Sequence, residues 1–178
     1  MSSPDADSVT GSCLCRAVTY KATGKPMFRT LCHCLNCRKV SGAPMMGSSV
    51  YTTQVSPFSS APRHCIDIDC LLVSQQITFS GEQHKRIYDD EATDSGHAYR
   101  RHFCSRCGAQ LGGQSAAFEQ FFAINQGSLD AEYVNDWAPD VEQYCVSKAR
   151  FLPWFVERGG EGEMRGRFER FISGPRPE

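Results

Sequence analysis

The sequence predicts a mainly β domain of short antiparallel strands with few short helices, and three observations predict it. Several short segments alternate polar and apolar residues or are rich in β-branched and aromatic side chains. Helical periodicity is weak along the whole chain. Gly, Pro, Ser and Asp punctuate it at close intervals, which is the spacing of turns between strands.

In chain order, residues 1–10 are polar and read as a flexible lead-in. Strands are expected at Ala17–Tyr20, Met46–Tyr51, Leu71–Phe79, Tyr99–Phe103 and Phe121–Ile124. One turn of helix is expected at Cys37–Ser41, ended by Gly42 and Pro44. Ser56–Asp69, with two Pro and three Ser, reads as a loop or insertion and not as a domain boundary. The folded domain should span 11–158. Residues 159–178 form a Gly-, Pro- and Arg-rich tail, in which Arg167–Ile172 could dock as a last short element.

Composition narrows the function. The chain has 178 residues, 40% of them apolar, with a net charge of −1. That is enough apolar material for a core, and no run of about 18 consecutive apolar residues offers a membrane span. Without a dense Lys/Arg stripe there is little electrostatic reason to bind nucleic acid, so a small-molecule partner is expected. The opening MSSPDADSVTGSC has neither a basic start nor an apolar stretch, which points to a reducing, cytoplasmic setting.

Ten cysteines are then too many for casual core thiols, yet fewer than the roughly 8–10% of a disulfide scaffold. Seven fall in three tight groups: Cys13 with Cys15, Cys32 with Cys34 and Cys37, and Cys104 with Cys107. Thiolates two or three residues apart can clasp one ion, because a tight turn aims both sulfurs at a common point. Four sulfurs close a tetrahedron as a structural Zn²⁺ site; three leave a position for water or substrate. The simplest division joins the pairs Cys13/Cys15 and Cys104/Cys107 across the fold and leaves Cys32, Cys34 and Cys37 as a local triad. Two other divisions fit the same spacing: a two-metal cluster sharing thiolates, and a closed site built from Cys32/Cys37 with Cys104/Cys107.

These residues also resemble a known family. Gly11-Ser12-Cys13-x-Cys15, Cys32-His33-Cys34-x-x-Cys37-Arg38-Lys39-x-Ser41-Gly42-Ala43-Pro44, Arg101-His102-Phe103-Cys104-x-x-Cys107-Gly108-Ala109-x-Leu111, Gly127-Ser128-Leu129-Asp130 and Pro153-Trp154-Phe155 are similar, in order, to the glutathione-dependent formaldehyde-activating enzymes and centromere-protein-V-like members. The resemblance implies a β-tent fold with two Zn²⁺: a structural one on Cys13, Cys15, Cys104 and Cys107, and a catalytic one on Cys32, Cys34 and Cys37. It supplies glutathione as the thiol and formaldehyde or a related carbonyl as the electrophile, and hence carbon–sulfur lyase chemistry. Two departures stand out. Members commonly have Gly where this chain has Arg16, and Thr52–Ile77, carrying His64, Cys65 and Cys70, is longer than usual.

Zn²⁺ on three thiolates carries a formal −1, which makes it a modest Lewis acid suited to sulfur chemistry; an incoming thiol with a pKa near 8.5 can be held as thiolate at neutral pH. Glutathione's carboxylates need cations, and Arg38, Lys39, Arg101 and, as a further candidate, Arg100 are placed for that. Ser41 either binds ligand or caps a turn. His33 sits among the thiolates, but in an extended loop its side chain opposes theirs. His102, Cys65, Cys70 and Cys145 are expected as packing residues, and Phe121, Phe122, Trp154 and Phe155 as core or pocket lining. Two alternatives stand beside the lyase: the same chemistry on a bulkier thiol adduct, and a non-catalytic zinc-stabilised binding module.

Overall fold

The structure is a computed structural model and describes residues 8–52, 76–160 and 165–171. Its elements are mainly β. In chain order they are β1 (Ser8–Ser12), β2 (Thr19–Thr23), β3 (Phe28–Cys32), α1 (Leu35–Ser41), β4 (Met46–Thr52), β5 (Ile77–Ser80), β6 (Lys85–Asp90), β7 (Tyr99–Cys104), β8 (Gln110–Ser115), β9 (Phe121–Asn125), α2 (Ala131–Val134), β10 (Val141–Gln143) and β11 (Gly166–Arg167).

They form two sheets. The smaller is antiparallel in the order β1-β2-β5, and the larger runs β11-β10-β3-β4-β9-β8-β7-β6. Within the larger, β6 to β9 are a sequential antiparallel meander, whereas β10 pairs parallel with both β3 and β11. The sheets share a core. Val18, Tyr20, Ala22 and Ile77 of the small sheet meet Tyr51, Leu111, Phe122 and Ile124 of the large one, all buried. Burying each large apolar side chain contributes about 1.5–3 kcal/mol. The Tyr20 hydroxyl hydrogen-bonds Ser128 Oγ at 2.9 Å, so its polar end does not oppose that burial.

Close strand contact explains the composition of β8. A Cβ on Gly112 would lie 2.3 Å from the Ala123 carbonyl oxygen, and one on Gly113 would lie 2.4 Å from the Tyr99 ring. The segment 165–171 is docked as well: Phe168 is buried, its amide donates to the Glu142 carbonyl at 2.8 Å, and Arg170 accepts at its carbonyl from the Tyr144 amide at 2.8 Å. His64, Cys65, Cys70 and the interior of the Thr52–Ile77 stretch lie outside the described residues; its two shoulders are joined where Thr52 N donates to Gln76 Oε1 at 2.8 Å.

Candidate metal centres and the site around them

The seven clustered cysteines resolve into two groups. The sulfurs of Cys13, Cys15, Cys104 and Cys107 lie within 4.8 Å of one another, and so do those of Cys32, Cys34 and Cys37. In the first group the Cys13–Cys15 and Cys15–Cys104 sulfurs are 3.7 and 3.8 Å apart. A tetrahedron of sulfurs about 2.3 Å from a central Zn²⁺ has edges of about 3.8 Å, so these donors fit that ion. Backbone amides support the charge: Val18 N donates to Cys13 Sγ at 3.3 Å, and Arg106 N to Cys104 Sγ at 3.4 Å. An amide hydrogen bond at Ala109 leads the effects that draw Cys107 down to about 6. The turn holding Cys104 and Cys107 closes through Gly108, at φ 72°, whose amide donates to the Cys104 carbonyl at 2.8 Å.

Arg16, next to this group, has φ 58° and is exposed. The chain therefore keeps the left-handed turn that glycine adopts freely and carries it on a residue with a Cβ.

The second group is built locally. Cys32 ends β3, Cys34 caps α1 with its sulfur accepting from Cys37 N at 3.3 Å, and Cys37 faces inward from the first turn. Gly42, at φ 65°, ends the helix one residue after Ser41. Hydrogen bonds from the Cys32 and then the Cys37 thiol, with the Arg101 charge nearby, hold Cys34 down to about 2. For Cys37, the Cys32 hydrogen bond works downward, but the Cys34 thiolate and burial outweigh it and push the thiol up to about 12. The three sulfurs thus share protons around one readily formed thiolate, which is the state a cation would complete. Among the described residues no fourth His, Cys, Asp or Glu joins this triad.

Arg101 is buried, and its Nε and Nη2 both donate to Asp90 Oδ2, at 2.9 and 2.6 Å. Asp90 also accepts from Asn36 Nδ2, at 3.0 Å, so the pair grips the helix that carries Cys37. The Arg101 guanidinium lies 5.0 Å from the centre of the Tyr99 ring, two residues earlier on the same strand. Met46, Val40 and Tyr144 pack around the sulfurs. Arg38 is half-buried and donates to the Ser147 carbonyl at 3.3 Å, while Lys39 is exposed on α1. The Ser41 hydroxyl donates to the Cys37 carbonyl at 2.8 Å. Arg100 is engaged by Glu119 at 2.7 Å.

Neither His33 nor His102 joins the sulfur groups. His33 is fully buried, with Nε2 2.8 Å from Glu142 Oε1, and Glu142 is fully buried too. The second oxygen of Glu142 accepts from Phe155 N at 3.2 Å, fastening the Phe155 segment over the pair. His102 packs edge-on to Phe122 at 5.0 Å with both ring nitrogens unpartnered, and burial first, then Lys85, lowers its pKa to about 4. Cys145 is buried and donates to the Glu142 carbonyl. Asp90, Asn36, Tyr99, Tyr144 and Glu142 were not singled out from sequence. Only the Tyr99-x-Arg101 alternation along a strand offered a local sign of one of them.

No curated protein matches the chain. A solved Rhodobacter sphaeroides protein aligns with 68% of this chain and 88% of its own, at 15% identity and a TM-score of 0.45. The family model described as glutathione-dependent formaldehyde-activating enzyme matches residues 8–70 and 65–147, a stretch that contains both sulfur groups. The chain belongs to the glutathione-dependent formaldehyde-activating enzyme family.

Proposed function

We propose that the protein is a carbon–sulfur lyase that forms or cleaves a glutathione–carbonyl adduct such as S-hydroxymethylglutathione at the Cys32/Cys34/Cys37 site. The observation that carries this reading is the contrast between the two sulfur groups. One has the four donors a tetrahedral ion takes, and the other has three, in a walled setting with a buried cation beside it. A zinc ion held by the three cysteines would lower the pKa of an incoming thiol and keep it as a thiolate at neutral pH.

The chain's own residues would do the rest. Arg101, fixed by Asp90, offsets the negative charge that gathers as cysteine and substrate sulfurs come together. Its buried, doubly anchored guanidinium costs no reorganisation during the reaction. Asn36, tied to the same carboxylate, holds α1 and therefore Cys34 and Cys37 in register with β7. Arg38 and Lys39, on the helix that carries Cys37, would meet glutathione carboxylates at the rim. The four-cysteine group would bind a structural Zn²⁺ that joins the small sheet to the β7–β8 turn.

The test is zinc content with turnover. The zinc-loaded protein should hold two ions per chain and accelerate exchange between [13C]formaldehyde with glutathione and S-hydroxymethylglutathione, followed by NMR exchange spectroscopy. Replacing Cys34 with Ser should abolish the acceleration and remove one zinc. Exchange no faster than in buffer, from a protein loaded with two zinc ions, would reject the lyase reading; acceleration with bulkier thiol adducts alone would move the substrate to that class.

A further inference from the structure

Tyr144 stands in an unusual backbone conformation beside the triad. It has φ 58° and ψ 38°, and Arg16 is the other non-glycine with positive φ among the described residues. A bulky side chain in the left-handed region is strained, and such strain persists only where the surroundings enforce it. Here they do. The Tyr144 amide donates to the Arg170 carbonyl at 2.8 Å, its carbonyl accepts from Ser147 N at 2.9 Å, and the next residue is held by Phe168. Glycine would make this turn at lower cost, so the turn alone does not account for a tyrosine.

The ring accounts for it. β10 leaves the sheet at Gln143, and Tyr144, next in the chain, packs against the cluster formed by Cys32, Cys37 and Met46. The residue is half-exposed. Tyr20 spends its hydroxyl on Ser128, whereas the Tyr144 hydroxyl has no hydrogen-bond partner among the described residues. A phenol is protonated at neutral pH. It is therefore a donor without a partner among the described residues, on a side chain packed against the cluster where, in the lyase reading, a carbonyl oxygen becomes negative.

We propose that Tyr144 is a catalytic residue of the three-cysteine site, its phenolic O–H donating a hydrogen bond to the carbonyl-derived oxygen of the glutathione adduct. This rests on the lyase reading above. In the forming direction, a sulfur electron pair makes the C–S bond and the carbonyl π pair moves onto oxygen, where the Tyr144 donor meets it. The proton that completes the hydroxyl is the one the thiol released to solvent, and Tyr144 keeps its own. Cleavage runs the same steps backwards.

The test uses zinc-loaded wild type and Tyr144→Phe, which retains the ring and its packing, so zinc content and melting temperature should match. Turnover of S-hydroxymethylglutathione, as kcat/KM, should fall about 100- to 1,000-fold, in the range for losing one donor to a developing oxyanion. Calorimetric dissociation constants of S-formylglutathione and S-methylglutathione, which differ by a carbonyl oxygen in place of two hydrogens, supply a readout apart from turnover. Wild type should prefer the formyl compound, and Tyr144→Phe should lose that preference by about 3- to 10-fold. Unchanged preference, or equal weakening of both ligands, would overturn the proposal by making the ring a plain wall. A wild type without turnover would sink the lyase reading, and the paired dissociation constants would still decide whether the phenol reads the oxygen.

Discussion

Removing the knuckle sulfurs, Cys104→Ser with Cys107→Ser, should cost far more stability than removing Cys34, and the structure sets the size of the difference. Cys15 and Cys104 are 89 residues apart in sequence with sulfurs at 3.8 Å. Bridging them through a metal closes that loop, and the chain-entropy relation gives about 4.6 kcal/mol for a loop of this length. For a domain of this size the loss corresponds to a melting temperature lower by about 9–18 °C. Cys32 and Cys37 are five residues apart, and the same relation gives about 2 kcal/mol, or about 4–8 °C, as the ceiling for Cys34→Ser. The comparison should be made by circular dichroism melts on zinc-loaded proteins, with zinc counted by mass spectrometry on the same samples. Each variant should lose one ion. A double variant that melts with wild type, or a Cys34→Ser protein that melts below it, would refute the assignment of the four-sulfur group as the clasp between sheets.

Three further outcomes follow from particular contacts. Arg16→Gly should raise stability by about 0.5–1 kcal/mol in urea titrations, because relief of the φ 58° strain exceeds the extra freedom glycine gains when unfolded. Glu142→Ala leaves the buried His33 Nε2 and Phe155 amide without partners and should cost about 3–5 kcal/mol, whereas Glu142→Gln, which can still accept from one of them, should cost less; equal losses would mean the hydrogen bonds matter little. Buried His102 takes up its proton only near pH 4, while in the unfolded chain it does so near 6.5. The unfolded state therefore holds more protons in that window, so stability should fall as pH drops through it, by up to about 3 kcal/mol, and the fall should flatten in His102→Phe.

The grouping of Cys32, Cys34 and Cys37 was legible in the sequence because the three cysteines lie within six residues and need only one turn of helix to converge. The strands at Met46, Tyr99 and Phe121 were legible from alternation and aromatic content. β8 was not, since its paired glycines read locally as a turn while strand contact requires them. β10 and β11 are three and two residues long and exist through parallel pairing with β3 or with one another, a relation no local window contains. The Arg101–Asp90–Asn36 grip and the His33–Glu142 pair escaped for the same reason: the latter partners are 109 residues apart. The Tyr144 torsions escaped because a bulky residue at positive φ is an outlier that no local pattern announces.

The strand order of the larger sheet also dictates a sequence of assembly. Neighbouring segments meet sooner than remote ones, so the meander of β6 to β9, with its knuckle, should gain amide protection from exchange early in refolding. The edge beside β3 must wait for β10 and β11 to arrive from the far end of the chain. Tyr144 takes its place only then, so the wall of the site would be the last part of the protein to become itself, and pulse-labelled hydrogen exchange should find it so.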